Sequence, residues 1–166
     1  TKRALSKKQT QPLDTKFNYS SGSSNILSAL LRKQFKTHQE YLDFPYTEFI
    51  DKIGMHSMLM ETDIMGNYVA SSYSWATTRD WAKFGQLMLN NGKWNNEQIV
   101  SEKWVDYIKT PNKTSLGEYG GHWWLNEGNY MPNVPKDCFY ADGVQVRRIF
   151  VIPSNELVVV RFGVSE

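Results

Sequence analysis

Apolar residues recur every three or four positions in two early segments, after a polar and irregular stretch at residues 1–18. Over about 23–35 the apolar positions share one face, with Arg32 and Lys33 outside it, so this segment is predicted to form a helix. A second helix is predicted over 39–53, interrupted near Pro45 because proline lacks the N–H that a helical hydrogen bond needs.

Capping residues predict two further helices in the middle of the chain. Thr77-Thr78-Arg79-Asp80 is typical of a helix start and Asn91-Gly92 of a helix end. The carboxylate of Asp80 is expected to bond to free N–H groups of the first turn. Ser101 is expected to cap the next helix, which has three residues predicted to face the core: Trp104, Val105 and Ile108.

Other segments show alternating apolar and polar residues, or runs of β-branched residues, which are typical of strands. Residues 57–76 alternate loosely around a Gly66-Asn67 turn, which predicts short strands or extended loops. The runs 149–152 and 157–160 flank a four-residue turn and predict a β-hairpin. The sequence therefore predicts an α+β fold with an irregular lead-in at 1–18, a mainly helical region at 19–115 and antiparallel strands at 116–166.

Composition narrows the class of protein. The 166 residues are 40% hydrophobic, and their net charge of +2 gives no indication of a nucleic-acid partner. Cys138 is the single cysteine, so no internal disulfide can form, and no apolar run reaches the length of a membrane span. The three histidines lack metal-ligand spacing and no glycine-rich phosphate loop is present, so neither a metal nor a cofactor is predicted.

The first candidate catalytic motif is Tyr19-Ser20-Ser21, in which a tyrosine is followed two residues later by a hydroxyl residue at a predicted helix start. A phenol and a hydroxyl in this arrangement can face one reacting centre and assist a nucleophilic serine. Taken alone, the pattern also fits a packed aromatic residue followed by a helix cap.

Several short motifs follow in a fixed order. They are Phe17-Asn18-Tyr19-Ser20-Ser21-Gly22, Ile53-Gly54-Met55, Thr77-Thr78-Arg79-Asp80-Trp81-Ala82-Lys83-Phe84-Gly85, Asn91-Gly92-Lys93-Trp94, Tyr119-Gly120-Gly121-His122-Trp123-Trp124, Ala141-Asp142-Gly143 and Ile149-Phe150-Val151-Ile152-Pro153. Over residues 12–164 this order resembles the serine β-lactamase and penicillin-binding-protein superfamily. The resemblance is to its class-C-like, esterase and 6-aminohexanoate-dimer-hydrolase branch, and it implies the C-terminal part of a β-lactamase-like fold.

The resemblance implies roles for individual residues. Tyr19 takes the place of the catalytic tyrosine and Ser21 that of the Asn/Ser two residues later. Ala141, Asp142 and Gly143 take the place of the third motif, on a strand that binds substrate and gives one N–H of the oxyanion hole. Gly143 also fits a simple bulge glycine. Three aromatic residues either wall an apolar substrate pocket or pack as core: Trp123, Trp124 and Tyr140.

The chain departs from the family pattern in three places, and the first is the third motif, where many relatives have Lys-Thr-Gly or His-Thr-Gly in place of Ala141-Asp142-Gly143. No serine has a lysine three residues later, so the Ser-x-x-Lys that supplies nucleophile and base is expected to precede Thr1. Relatives often have Gly-Gln where this chain has Val146-Arg147, which affects the turn after the third motif.

The prediction is therefore one partial domain of a serine hydrolase, inactive by itself, whose full protein hydrolyses a small-molecule ester or amide. The alternative is a non-catalytic module that binds a ligand or peptide. Unpaired strands in a half-fold would expose an edge, so the upstream part of the same protein or an oligomer partner is expected. Relatives are commonly exported in bacteria, which favours the periplasm or secretion.

Overall fold

The computed structural model describes residues 5–12 and 15–163, and it combines helices with antiparallel sheets as predicted. The helices are α1 (Ser21–Arg32), α2 (His38–Pro45), a π-helix (Tyr46–Ile50), α3 (Thr78–Leu89) and α4 (Glu102–Lys109). The strands are β1 (Leu59–Met60), β2 (Ser74–Trp75), β3 (Lys93–Trp94), β4 (Glu97–Gln98), β5 (Trp124–Leu125), β6 (Phe139–Gly143), β7 (Arg147–Ile152) and β8 (Leu157–Arg161).

Hydroxyl residues fix the starts of the α-helices α1 to α4. Ser20 caps α1 by accepting a bond from the N–H of Gly22 at 3.1 Å, so this helix begins two residues earlier than predicted. Thr77 caps α3 and Ser101 caps α4, as the sequence indicated.

The predicted helix over 39–53 is two segments. It begins at His38 after Thr37, whose side chain forms a capping box with Glu40. At Pro45 the α-helical hydrogen bonds end and a π-helix takes over, because proline has no N–H to continue them.

The larger sheet has four antiparallel strands in the order β5-β6-β7-β8. The predicted hairpin is confirmed: Ile152 pairs with Leu157 across a 3₁₀ turn, after which Glu156 takes a left-handed φ of 50°. Strand β6 pairs with β7 over its whole length, from Phe139 opposite Val151 to Gly143 opposite Arg147.

Helix α3 packs directly on the sheet and forms the centre of the core. Gly85 allows this close approach, because a Cβ there would lie 2.6 Å from Val158 and 2.9 Å from Ile149. Leu87 of α3 and Val151 of β7 are fully buried at this contact layer.

Two predictions about side chains were wrong. Trp104 is half exposed and lies against Tyr107 with ring centroids 5.1 Å apart, because Val105 and Ile108 already define the inward face of the short α4. The carboxylate of Asp80 bonds to Ser57 and Lys83, since the Thr77 hydroxyl takes the free N–H of the first turn.

The described helices are also too short or too polar for a bilayer crossing, within residues 5–12 and 15–163.

Candidate active site

Tyr19 lies on the surface against two aromatic rings from a distant part of the chain. Its ring centroid is 5.3 Å from that of Trp124 and 5.6 Å from that of Tyr119. Phe17 contacts Tyr119 at 4.9 Å, so the segment before α1 is held on strand β5 by several ring contacts. Tyr19 remains 57% exposed, which leaves its phenol open to a ligand.

Strand β5 connects Tyr19 to the third motif. Trp124 pairs with Tyr140 of β6, and their rings stack with centroids 6.4 Å apart. Tyr140 is buried and Trp124 is half-buried, so Tyr140 packs as core, and a substrate wall formed by the two rings stays a prediction. Burial raises the pKa of the Tyr140 phenol.

Ala141, Asp142 and Gly143 form the last three residues of β6. Strand β5 covers only Phe139 and Tyr140, so in the described part of the chain no strand pairs with residues 141–143 on that side. Backbone N–H groups on such an edge are available to a ligand. Gly143 has an ordinary extended φ of −114°, so the backbone conformation by itself does not require glycine there.

An ion pair lies beside this edge. Arg148 donates from Nε to Asp142 at 2.7 Å and its guanidinium lies over the Tyr140 ring at 5.2 Å. The hydrogen bond to Asp142 raises the pKa of Arg148, so its charge is constant under ordinary conditions. Together with Glu118 and Tyr130, these residues line a cleft of about 220 Å³ next to Trp124.

Sequence reasoning missed Arg148. Asp142 and Arg148 are six residues apart, on opposite strands of a hairpin. Their ion pair could be predicted only if the exact register of the two strands were known.

Ser21 is the first residue of α1 and is exposed, while Ser20 uses its hydroxyl as the cap. The start of α1 is also attached to the loop before β2, because Asn25 donates to the hydroxyl of Ser71 at 3.3 Å. The structure thus places the Tyr19 ring against Trp124 of β5. Ser21 lies two residues after Tyr19, at the start of α1.

Other titratable groups are arranged for structure. Burial raises the pKa of Tyr119 to about 12, and nearby Tyr19 adds to the effect, so Tyr119 stays protonated beneath Tyr19. Cys138 is 1% exposed and burial raises its pKa to about 11, which makes it a poor nucleophile. Across residues 5–12 and 15–163, no three His, Cys, Asp or Glu side chains are grouped as metal ligands.

The turn after the third motif is strained. Gln145 and Val146 both take left-handed φ values, 58° and 60°, between β6 and β7. A β-branched residue rarely adopts this conformation, which costs about 1–2 kcal/mol for residues other than glycine. The predicted departure at Val146 therefore coincides with an unusual turn.

Comparisons with known proteins show the family and the fold of the chain. A family model described as Beta-lactamase matches residues 1–162. A structure from Bacillus anthracis, assigned as a 6-aminohexanoate-dimer hydrolase, is similar with a TM-score of 0.79 and 27% identity over 95% of this chain and 40% of that one. A structure from Bacteroides dorei, assigned as a beta-lactamase, shares the fold with a TM-score of 0.66 and 13% identity over 97% and 56% of the two chains.

The chain therefore spans less than two thirds of the length of these similar structures. A search of curated proteins gives no match.

Proposed function

Since the chain belongs to the beta-lactamase family of hydrolases, we propose that it supplies the assisting tyrosine and one substrate wall of a serine hydrolase. The reaction is hydrolysis of an ester or amide through an acyl-serine intermediate. In this reaction a serine attacks the substrate carbonyl, the leaving group departs with a proton, and water then releases the acyl group.

The observation that carries the proposal is the set of ring contacts from Tyr19 to Trp124 and from Trp124 to Tyr140. These contacts join two motifs that are far apart in the sequence, and Ala141 follows Tyr140 directly. Proton transfer by the phenol and carbonyl binding by the strand edge would then act on one substrate bound against this aromatic wall.

Each residue then has a role. Tyr19 transfers a proton to or from the reacting groups, and Ser21 orients it or the substrate. The unpaired edge at 141–143 donates a backbone N–H to the carbonyl oxygen. Trp124 and Tyr140 bind the apolar part of the substrate. Substrate identity within the class of esters and amides depends on the cleft beside Asp142 and Arg148.

The nucleophile is not among these residues, because none of the serines in the 166 residues has a lysine three positions later. The chain by itself is therefore expected to be inactive toward p-nitrophenyl esters and nitrocefin. Intact-mass spectrometry after incubation should show no acyl adduct. An acylated serine on this chain alone would contradict the proposal.

The role of Tyr19 is tested in a longer protein that carries a Ser-x-x-Lys segment ahead of Thr1. Tyr19→Phe removes the hydroxyl and keeps the ring contacts, so kcat is expected to fall by about 10²–10⁴-fold with little change in KM. Tyr107→Phe is the matched control, because Tyr107 is equally exposed on α4. Equal kcat values for the two variants would remove Tyr19 from the mechanism.

A non-catalytic binding module is the second candidate. It is favoured by the strained turn at Val146, where the chain departs from its relatives next to the substrate edge. The two functions differ in a simple way: a module retains ligand binding but forms no acyl adduct even when a Ser-x-x-Lys segment is supplied.

A further inference from the structure

A second cavity lies on a different part of the molecule from the cleft beside Asp142 and Arg148. Its volume is about 760 Å³, and it is bounded by the π-helix, α3 and the β3–β4 hairpin. Nine of its lining side chains are large and apolar, among them Phe49, Met55, Met58, Met60, Trp81 and Phe84. The two cavities share no lining residue.

The cavity is formed by an unusual backbone and by rings that meet edge-on. At Pro45 the chain changes from α-helix to π-helix, and Phe49 of that segment lines the cavity. The Phe49 and Phe84 rings meet at 5.9 Å and an interplanar angle of 75°, and Trp81 meets Phe84 at 6.0 Å and 76°. Single-turn π-helical segments occur frequently at functional sites, which favours a binding role for this wall in addition to packing.

The cavity walls are partly open to solvent although they are apolar. Ile50 and Met55 at the base are buried, whereas Phe49, Met58 and Trp81 are only half-buried. A molecule of matching shape would remove these surfaces from water, at about 25 cal/mol for each Å². The volume lies within the range of about 300–1,000 Å³ that is usual for small-molecule sites.

Charges at the rim restrict what can enter. Lys52 lies between Glu48 at 3.5 Å and Glu97 at 3.0 Å, so its charge is already compensated. One carboxylate remains in excess among these three groups, which opposes a ligand with an anionic head group. A free fatty acid is therefore a poor match, and an uncharged molecule is a good one.

We propose that this cavity is a binding site for an uncharged apolar small molecule, aliphatic or aromatic, separate from the cleft beside Asp142 and Arg148. The flexible thioether side chains of Met55, Met58 and Met60 adapt to the ligand, and the aromatic rings give it flat surfaces. This site does not depend on the hydrolase function, and binding is expected in the 166-residue chain as it stands.

The test is a fluorescence titration of the chain with N-phenylnaphthylamine, an uncharged probe, and with the anionic anilinonaphthalene sulfonate. Saturable binding is expected, with the uncharged probe at least about fivefold tighter. Met58→Gln keeps the length of the side chain but makes the wall polar, so affinity for the uncharged probe is expected to fall by about three- to tenfold. Met65→Gln is the matched control, because Met65 is 75% exposed and lies outside the cavity.

Fluorescence energy transfer from tryptophan to the bound probe gives a second readout, and it uses a substitution that is not expected to destabilise the fold. Trp81→Phe preserves an apolar aromatic wall, and it should reduce transfer to the bound probe much more than Trp104→Phe, since Trp104 lies on the outer face of α4. Absence of saturable binding, equal effects of the two methionine variants, or tighter binding of the anionic probe would each overturn the proposal. So would sedimentation showing that the probe only displaces a second copy of the chain.

Discussion

Replacing Asp80 with asparagine tests whether a small polar cluster stabilises the start of α3. Asp80 accepts hydrogen bonds from the N–H and hydroxyl of Ser57 at 2.8 and 2.6 Å and from the ammonium of Lys83 at 2.7 Å. Lys83 also donates to the carbonyl oxygen of Gly54. The cluster therefore ties α3 to the loop that follows the π-helix, and Asp80→Asn removes its negative charge.

The size of the effect follows from the pKa of Asp80. The Lys83 hydrogen bond, and after it the Ser57 hydrogen bond, lower this pKa from 3.8 to about 2. A difference of about two pKa units corresponds to roughly 2–3 kcal/mol, and we expect about 2 kcal/mol because Lys83 is partly screened by solvent. The Asp80 side chain itself is only 9% exposed.

The sign of the pH dependence is fixed by the direction of the shift. A carboxyl group whose pKa is lower in the folded state stabilises the fold above its unfolded pKa. This contribution is therefore complete at neutral pH and is lost as the pH falls from about 4 to about 2.

The assay is urea unfolding followed by tryptophan fluorescence at neutral pH and at steps down to pH 2. Asp80→Asn should lower the free energy of unfolding by about 2 kcal/mol at neutral pH, and its difference from the parent should shrink below about pH 4. Asp106→Asn is the control: Asp106 is 74% exposed in its ion pair with Lys109, so the expected loss is below about 0.5 kcal/mol. The reasoning would be refuted if both variants lost an equally small amount of unfolding free energy. It would also be refuted if the loss in Asp80→Asn stayed constant down to pH 2.

Two further substitutions test other parts of the structure by the same unfolding assay. Val146→Gly should stabilise the chain by about 0.5–1 kcal/mol, because glycine accepts the left-handed φ of 60° without strain. Val144→Gly is the control and should not stabilise the chain. A larger stabilisation from Val144→Gly than from Val146→Gly would contradict the turn geometry. Asn126→Ala should cost about 2–4 kcal/mol, since the fully buried Asn126 side chain donates to three backbone carbonyls and accepts from one N–H in the following loop. The exposed Asn133 in the same loop is the control, and a similar loss for Asn133→Ala would show that the buried hydrogen bonds are not the cause.

Local sequence patterns predicted most of the secondary structure. Thr77 and Ser101 cap helices as expected, and the hairpin from 149 to 160 has the predicted strands and turn. The β3–β4 hairpin was missed because its turn, Asn95-Asn96, consists of two residues with positive φ between very short strands. Asparagine tolerates that conformation, but the flanking residues carry too little β pattern to be recognised.

The candidate site was predicted in part. Tyr19, Trp124 and Tyr140 lie together, whereas the ion pair of Asp142 and Arg148 was not foreseen. Whether Tyr19 and Ser21 act in catalysis stays a prediction.

The sequence by itself determined the starts of α3 and α4, the terminal hairpin and the family, because each cap, turn and motif consists of residues that are near one another in the chain. The tertiary structure decided which side chains meet: Tyr19 with Trp124, Asp80 with Ser57, and the methionines with the π-helix wall. These contacts join segments that are distant in the sequence. Spacing along a chain fixes the periodicity of a segment, but the free energy of burial selects which faces pack together.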